Sequence, residues 1–488
     1  MPRRVVSWVW TLLMILKRFY EDSLAHASYL VGCPNAGEAV VIDPNRDVEQ
    51  YIDAAKAEGL RIAAVTETHI HADYLSGSRE LALKTGATLY LSDEGDADWK
   101  YAFAEQDGAT LVRDGDSFRI GALRFDVLRT TGHTPEHIAF VLTDEVASTE
   151  PAMVFTGDFV FVGEVGRPDL LENAAGIKGT MEPGAKDLYG SIQRFKSMPD
   201  HVLVWPAHGA GSACGKSLGA VPVTTVGFER RVNWAFKAAT EDAFVREVLS
   251  GQPEPPKYFA TMKRLNKIGP PIRSQADLPR VEFQRDAVLV DIRPSSDFAH
   301  AHVPGSINIP VEYTSFVTWA GWLLPYDQDI QLLAEEEADA RDAVRRLSLI
   351  GLDQVSGWIT AGSALDAMTE SYAEGSFSAG IPSGAFILDV RGRSEWEEGH
   401  IPGATHIPLG YLTDRLDEIP RDRTVAVHCQ GGGRSPIAAS VLQLAGIKTV
   451  IDLTDGYLGY EASGKEHVAS TPLVCPIRES AAFGGAEA

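Results

Sequence analysis

Over its first half the chain carries its apolar residues in short runs separated by turn formers, which predicts strands more than long amphipathic helices. Leu24–Val31 and Ala39-Val40-Val41-Ile42 read as a neighbouring pair of strands. A helix follows from about Val48 to Glu58, with Gly59 just past its end. Ile62-Ala63-Ala64-Val65-Thr66 predicts a buried strand, Gly77 opens a second helix, and Thr88-Leu89-Tyr90-Leu91 is a further strand. Three more are predicted around Leu123–Leu128, Ile138–Leu142 and Met153–Phe155. Two groups of strands flanked by helices fit an α/β fold, a four-layer αββα sandwich with its site at one edge of the sheets.

The pattern breaks at Gly251-Gln252-Pro253-Glu254-Pro255-Pro256, which cannot continue a helix. Residues 17–250 read as the first domain, and 251–278, with Gly269-Pro270-Pro271 inside, as a linker. Beyond it the chain repeats itself. Asp291-Ile292-Arg293, Phe298, His302-Val303-Pro304-Gly305 and Ile309-Pro310 recur as Asp389-Val390-Arg391, Trp396, His400-Ile401-Pro402-Gly403 and Ile407-Pro408, always 98 positions on. A gapless repeat of this kind means two copies of one small α/β domain, over residues 279–372 and 376–470.

A length of 488 residues has room for about three domains, which agrees with that division. The net charge of −23 argues against nucleic acid and against an anionic membrane surface as partners. Small anionic substrates remain open, because a local basic pocket can sit inside an acidic shell. Four cysteines (Cys33, Cys214, Cys429 and Cys475) make no disulfide framework and no CxxC zinc pattern, so a reducing cytoplasm is expected. Near the N-terminus an apolar run from Val5 to Leu16, between Arg3-Arg4 and Lys17-Arg18, is too short to span a bilayer. Cleavage at Ala25-His26-Ala27 would remove half of the first strand, so residues 1–16 read as an extension, with an interfacial anchor as the alternative, and not as a signal peptide.

The chemistry centres on Thr68-His69-Ile70-His71-Ala72-Asp73-Tyr74, at the end of a predicted strand. Two imidazoles two residues apart can converge on one cation, and Asp73 adds an oxygen ligand from the same turn. Neutral imidazole with carboxylate suits zinc or ferrous iron better than magnesium or calcium. His133, Asp158 and His208 follow, each at a glycine-flanked end of an apolar segment. His137 is expected to bond locally, His26 and His201 carry no motif, and Cys33 reads as a buried small hydrophobe. Cys214 lies six residues past His208 in a small-residue loop, where Lys216 would favour its thiolate; it is either a candidate to take up or relay sulfur or a small buried residue in a tight turn.

The order His-x-His-x-Asp, then His, Asp and His, resembles the metallo-β-lactamase superfamily over the first domain. The resemblance implies a first metal site on His69, His71 and His133, a second on Asp73 and His208, and Asp158 between them. Hydrolases of the glyoxalase II type have a further histidine after the motif aspartate; this chain has Tyr74, whose phenol, with an ordinary pKa of about 10, is a poor zinc ligand. One metal on two histidines and an aspartate is the facial set of non-haem iron oxygenases. Within the superfamily this resembles the persulfide dioxygenases, and implies one ferrous iron on His69, His133 and Asp158, with His71, Asp73 and His208 orienting ligands and water. Arg167, in Gly163-Glu164-Val165-Gly166-Arg167-Pro168-Asp169, is then a candidate contact for the carboxylate or phosphate of the carrier thiol, with a structural salt bridge as the alternative.

In the second repeat, the strand Thr424-Val425-Ala426-Val427-His428 leads into Cys429-Gln430-Gly431-Gly432-Gly433-Arg434-Ser435. Gly431, Gly432 and Gly433 let the backbone curl so that N–H groups face the sulfur, and a following helix N-terminus adds positive potential. With Arg434 they should lower the thiolate pKa and cradle a persulfide, thiosulfate or sulfite. Four residues separate Cys429 from Arg434, where a phosphatase loop has five. The repeats resemble the rhodanese family, which carries sulfane sulfur on a cysteine. In the first copy Ala334 stands where Cys429 should be, and Ala334-Glu335-Glu336-Glu337-Ala338-Asp339 makes an acidic loop without a thiol, so that copy is expected to be structural or docking.

Together the resemblances imply a homo-oligomeric sulfide-detoxifying enzyme that oxidises a low-molecular-weight thiol persulfide with O2 to sulfite and moves sulfur through Cys429 to give thiosulfate. Two other classes fit the same residues. One is a zinc thioester hydrolase of the glyoxalase II type carrying a sulfurtransferase module. The other is a sulfur carrier in which Cys429 alone acts.

Overall fold

The computed structural model of the protein describes residues 14–173, 178–216, 218–273, 277–284, 286–465 and 467–468; the stretch 1–13 and Cys475 lie outside them. Contact density divides the chain into two units, Met1–Ala287 with Val311–Ile359, and Val288–Pro310 with Thr360–Ala488. No helix among the described residues is long and apolar enough to cross a membrane.

The first unit holds the αββα sandwich. One sheet runs in the order β1 (Ile15–Glu21), β2 (His26–Cys33), β3 (Glu38–Ile42), β4 (Arg61–Thr66), β5 (Thr88–Ser92), β6 (Thr110–Val112). The other comprises β7 (Ser117–Ile120), β8 (Leu123–Arg129), β9 (Ile138–Asp144), β10 (Met153–Gly157), β11 (Leu203–Pro206) and β12 (Thr224–Thr225), also as neighbours in chain order. Strand β1 is a correction to the sequence reading. Ile15 and Leu16, read as the end of an extension, begin an edge strand that pairs antiparallel with β2 from Ile15–Gly32 to Glu21–His26.

Alternation explains the layers. β8 buries Leu123, Phe125 and Val127 and leaves the residues between them partly exposed. These side chains meet Tyr29, Val31, Val40 and Ile42 of the first sheet in a core that also takes Phe118, Phe140 and Phe155. Each fully buried side chain of this size contributes about 2 kcal/mol. On the outer faces, α1 (Glu49–Ala57) and α2 (Ser78–Thr85) cover the first sheet through Tyr51, Ala55 and Leu81. The second is covered by α3 (Met181–Phe195), which buries Ala185, Leu188, Ile192 and Phe195 on one helical face, and by α4 (Glu241–Leu249) through Phe244 and Val248.

The predicted linker is not a free connection. Its middle is α5 (Tyr258–Ile268), which buries Tyr258, Phe259, Met262 and Asn266. The Asn266 amide donates to the carbonyls of His71 and Tyr74, both at 2.8 Å, and accepts the Ser76 N–H at 2.9 Å. Helix α5 thereby clamps the turn that carries the His-x-His motif.

The first repeat is divided between the units. Strands β13 (Val288–Asp291) and β14 (Ile307–Asn308) pair in parallel within the second unit, while β15 (Ile330–Ala334), α6 (Glu337–Ser348) and β16 (Val355–Thr360) belong to the first. The second repeat is an all-parallel sheet of β17 (Ala373–Gly375), β18 (Phe386–Asp389), β19 (Thr405–His406), β20 (Val425–His428) and β21 (Val450–Leu453), in the order β17-β21-β20-β18-β19. The repeated Asp-x-Arg is a structural device. Asp291 with Arg293, and Asp389 with Arg391, form the same buried two-point pair, and each arginine also donates to a carbonyl eight residues on.

Candidate metal centre and sulfur site

Strands β4, β10 and β11 each deliver a ligand just past their carboxyl ends, and the loop before β9 supplies His133. Gly157 makes the delivery possible. Its φ is +52°, and a Cβ there would press on the Thr68 side chain and approach His137 Nε2 to 2.9 Å.

His69, His133 and Asp158 come together, with one ligand atom from each within 4.8 Å of the others and all three side chains buried. Hydrogen bonds set the tautomers. Thr68 Oγ1 donates to Asp43 Oδ2 at 2.9 Å, so the 3.0 Å contact with His69 Nδ1 is one in which the imidazole donates. His133 Nδ1 donates to the Arg167 carbonyl at 3.0 Å. Both Nε2 lone pairs are therefore bare, and they face Asp158 Oδ2 at 3.9 and 3.5 Å. Asp158 itself is held by its N–H on His137 Nε2 at 3.1 Å, while His137 Nδ1 bonds Thr130 Oγ1 at 2.8 Å. His137 thus bonds locally, as expected, and positions Asp158.

The His69 Nε2 and both Asp158 oxygens are buried without a hydrogen-bond partner. Lone pairs converging in a buried space need a cation or a proton between them, so the donor set fits a metal. Burial and the Lys263 ammonium bring His133 down to about 3, while burial pushes the Asp158 carboxyl up to about 6. His69 is likewise held well below the usual imidazole range, first by burial and then by neighbouring histidines.

His71 does not join this group. Its Nε2 turns to Asp43 Oδ1 at 3.1 Å. Burial opposes its charge, but Asp43, with Glu67 and Asp73 behind it, outweighs burial and pushes the imidazole up to about 9. Tyr74 turns the same way, its hydroxyl donating to the Asp43 carbonyl at 3.2 Å. Asp43, which the sequence reading passed over, is one of two non-glycine residues with positive φ among those described, at +51°. His26, which carries no motif and is expected to be structural, lies beside the same residues. It is fully buried, packs on Tyr74 with ring centroids 4.0 Å apart, lies 5.8 Å from the His208 ring, and neither nitrogen has a partner.

A second group forms beside the first from Asp73, His208 and Cys214. His208 Nδ1 donates to the Ala25 carbonyl, leaving Nε2 3.3 Å from both Asp73 Oδ2 and Asp158 Oδ1. Burial, then the Asp158 and Asp73 carboxylates, push the Cys214 thiol well above its usual range. Lys216 does not favour a thiolate there: its ammonium lies at the end of α4, donating to the Glu247 carbonyl at 2.7 Å. Arg167 is not available to a substrate either. It is fully buried, paired through two nitrogens with Asp169 at 2.9 and 2.6 Å, and donates to the Ala213 carbonyl. Its carbonyl orients His133, which makes it a support of the metal group.

In the second repeat, Cys429 follows β20, and α7 (Ser435–Leu444) begins after Arg434. The sulfur accepts the N–H of Gly432 at 3.2 Å and of Arg434 at 3.3 Å, with Ser435 Oγ at 3.6 Å. Gly432 has φ +88°, and any Cβ would collide with the Thr454 carbonyl oxygen. The Arg434 side chain departs from its expected role: the guanidinium is bound at both ends by Glu395, at 2.6 Å each, and only the backbone N–H meets the sulfur. In the first repeat Ala334 is the last residue of β15 and α6 starts at Glu337. Glu337-Ala338-Asp339 is therefore helix and not loop, and the turn that would carry a cysteine has shrunk to Glu335-Glu336.

Residues 22–208 match the family model of the metallo-beta-lactamase superfamily, and residues 277–356 and 374–463 match that of the rhodanese-like domain. The chain is 42% identical to a metallo-beta-lactamase of Staphylococcus aureus of known structure, with a TM-score of 0.68, over 71% of this chain and 99% of that one. It is 30% identical to the mitochondrial persulfide dioxygenase ETHE1 of Homo sapiens over 40% of this chain and 68% of that protein. With a hydroxyacylglutathione hydrolase of Methylococcus capsulatus it shares 28% identity over 55% of this chain and 93% of the relative.

Proposed function

Because the chain belongs to the metallo-β-lactamase superfamily, with two rhodanese-like domains and persulfide dioxygenases among its relatives, we propose that it oxidises a thiol persulfide to sulfite and transfers sulfane sulfur through Cys429 to give thiosulfate. The observation that carries the first half is the grouping of His69, His133 and Asp158 without His71, whose Nε2 is bonded to Asp43 although its ring lies 4.2 Å from that of His69. Asp43 engages Nε2 of His71, and two neutral histidines with Asp158 make the three-ligand set. Ferrous iron held there would supply redox chemistry toward O2 and open positions for substrate. The balance is RSSH + O2 + H2O giving RSH, sulfite and two protons.

The chain's own residues do the rest. Arg167, Thr68 and His137 fix the ligand orientations. Cys214, grouped with Asp73 and His208, holds its proton, since burial and the carboxylates oppose its ionisation. As a sulfur relay it would have to release that proton to water, a step that a cation bound nearby would favour. At the second site the Cys429 sulfur attacks the outer sulfur of a persulfide, releasing the carrier thiol and leaving Cys429–S–S⁻. Sulfite then takes the outer sulfur, and Cys429 leaves as thiolate, supported by the N–H groups of Gly432 and Arg434.

One observation favours a second reading. Asp73, His208 and Cys214 would complete a second metal site, and two zincs would suit a thioester hydrolase. Metal content and O2 uptake with glutathione persulfide, measured on one sample, separate the two. Uptake with about one iron per chain supports the dioxygenase, and Cys429→Ser should then shift the product from thiosulfate to sulfite. Two zincs with thioester turnover and no uptake would replace it with the hydrolase.

A further inference from the structure

We infer that Glu395 sets the donor preference of the Cys429 loop: by holding the Arg434 side chain, it suits the loop to a singly charged donor, such as a thiol persulfide, over the thiosulfate dianion. The inference rests on the reading of Cys429 as the transfer site. Arg434 has the only cationic side chain in the loop 429–434. Glu395 occupies both of its terminal nitrogens at 2.6 Å, and is itself fixed by the Gly392 N–H at 2.8 Å. A two-point contact of this kind is what an anionic substrate group would require of the arginine; here a carboxylate of the protein already supplies it.

The neighbouring arginines are engaged as well. Arg391 is bound to Asp389, to Gln430 and to the Gly399 carbonyl, and Arg393 to Glu397 at 2.9 Å. What remains for the sulfur is a pair of N–H donors and the N-terminus of α7. Those stabilise one negative charge on sulfur. The sulfonate of thiosulfate would bring a second charge against a neutralised guanidinium and beside the Glu395 carboxylate. Transfer to sulfite passes through the same transition state, so the arrangement slows both directions of the thiosulfate half-reaction by one factor and leaves its equilibrium unchanged.

The test compares two donors that present the same sulfonyl-bound sulfane sulfur but differ by one charge, with cyanide as acceptor and the full chain as enzyme. Thiosulfate gives Cys429–S–S⁻ and sulfite; methanethiosulfonate gives Cys429–S–S⁻ and methanesulfinate. Cyanide then removes the outer sulfur as thiocyanate and restores the thiolate. Wild type should favour methanethiosulfonate. Glu395→Gln, which keeps the size and the Gly392 contact, should raise kcat/KM for thiosulfate about tenfold while changing methanethiosulfonate by about twofold or less. Adding Arg434→Met should remove that gain, since the freed guanidinium produces it. If the glutamine variant fails to fold, Glu395→Asp, which breaks the two-point contact by shortening the arm, should shift the donor ratio in the same direction. An unchanged ratio, an equal rise for both donors, or no transfer from methanethiosulfonate by wild type overturns the inference. Transfer surviving in Cys429→Ser would instead overturn the assignment of the site itself.

Discussion

Asn266→Ala should loosen the metal-binding turn more than its position on a predicted linker would suggest. The side chain is 1% exposed and makes three hydrogen bonds, to the His71 and Tyr74 carbonyls and from the Ser76 N–H, all between 2.8 and 2.9 Å. Truncation leaves two carbonyls and one N–H in a buried place. Each such group costs about 1–3 kcal/mol when nothing replaces its partner. Some water will enter the space the amide leaves, so the low end applies, giving about 3 kcal/mol for the three. The readout is hydrogen exchange at the Ser76 amide in metal-free protein, because a bound ion would stabilise the native state by mass action and mask the change. About 3 kcal/mol corresponds to roughly a hundredfold faster exchange. Asn266→Asp should do no better than alanine, since it keeps an acceptor for Ser76 but turns a carboxylate toward two carbonyls. An acceleration of less than about tenfold would falsify the clamp, and the position of the His-x-His turn would then be owed to β4 and Asp43 alone.

Two further outcomes follow from the sites. Affinity for the ion held by His69, His133 and Asp158 should rise about tenfold per pH unit up to about 6 and level off above it, as read by chelator competition from pH 5 to 8. Asp158 holds its proton up to about 6, whereas His133 is already neutral above about 3, so one proton is displaced in that window; a continuing climb above pH 7 would assign the displaced proton to another group. Gly432→Ala must move the Cys429 loop away from the Thr454 carbonyl. It should lower sulfur transfer about a hundredfold or more while leaving O2 uptake unchanged, and full transfer in this variant would show that the Gly432 N–H is dispensable.

The residues that chemistry picks out of the sequence did converge where strand ends deliver them: His69 after β4, Asp158 after β10, His208 after β11. What a linear reading lacks is the partner. Arg434 and Glu395 stand 39 residues apart, and nothing local announces that a cation in a sulfur-binding loop is already neutralised. Asp43, in Ile42-Asp43-Pro44, looks like a turn residue, and its hold on Thr68 and His71 exists only once β3 and β4 lie side by side. Arg167 was more legible, since Asp169 is two residues away and a buried pair is the cheaper explanation for both. The helix inside the linker is not announced by the sequence for a physical reason. Proline-rich segments mark helix ends, not the absence of a helix, and between them Tyr258, Met262 and Asn266 recur on one helical face.

The two buried ligand groups should not fill together. In the first, the imidazoles of His69 and His133 are held below their usual range, and only the Asp158 proton, held up to about 6, stands against a cation near neutral pH. In the second, a cation using Cys214 must displace a thiol proton that burial, Asp158 and Asp73 hold well above the usual range. The first group therefore binds at neutral pH before the second does. One carboxylate and two neutral imidazoles leave a divalent ion with a net charge of +1 in a buried space, which attracts an anionic sulfur. His71 is charged only in its pair with Asp43, so the two together add no net charge beside the ligand group.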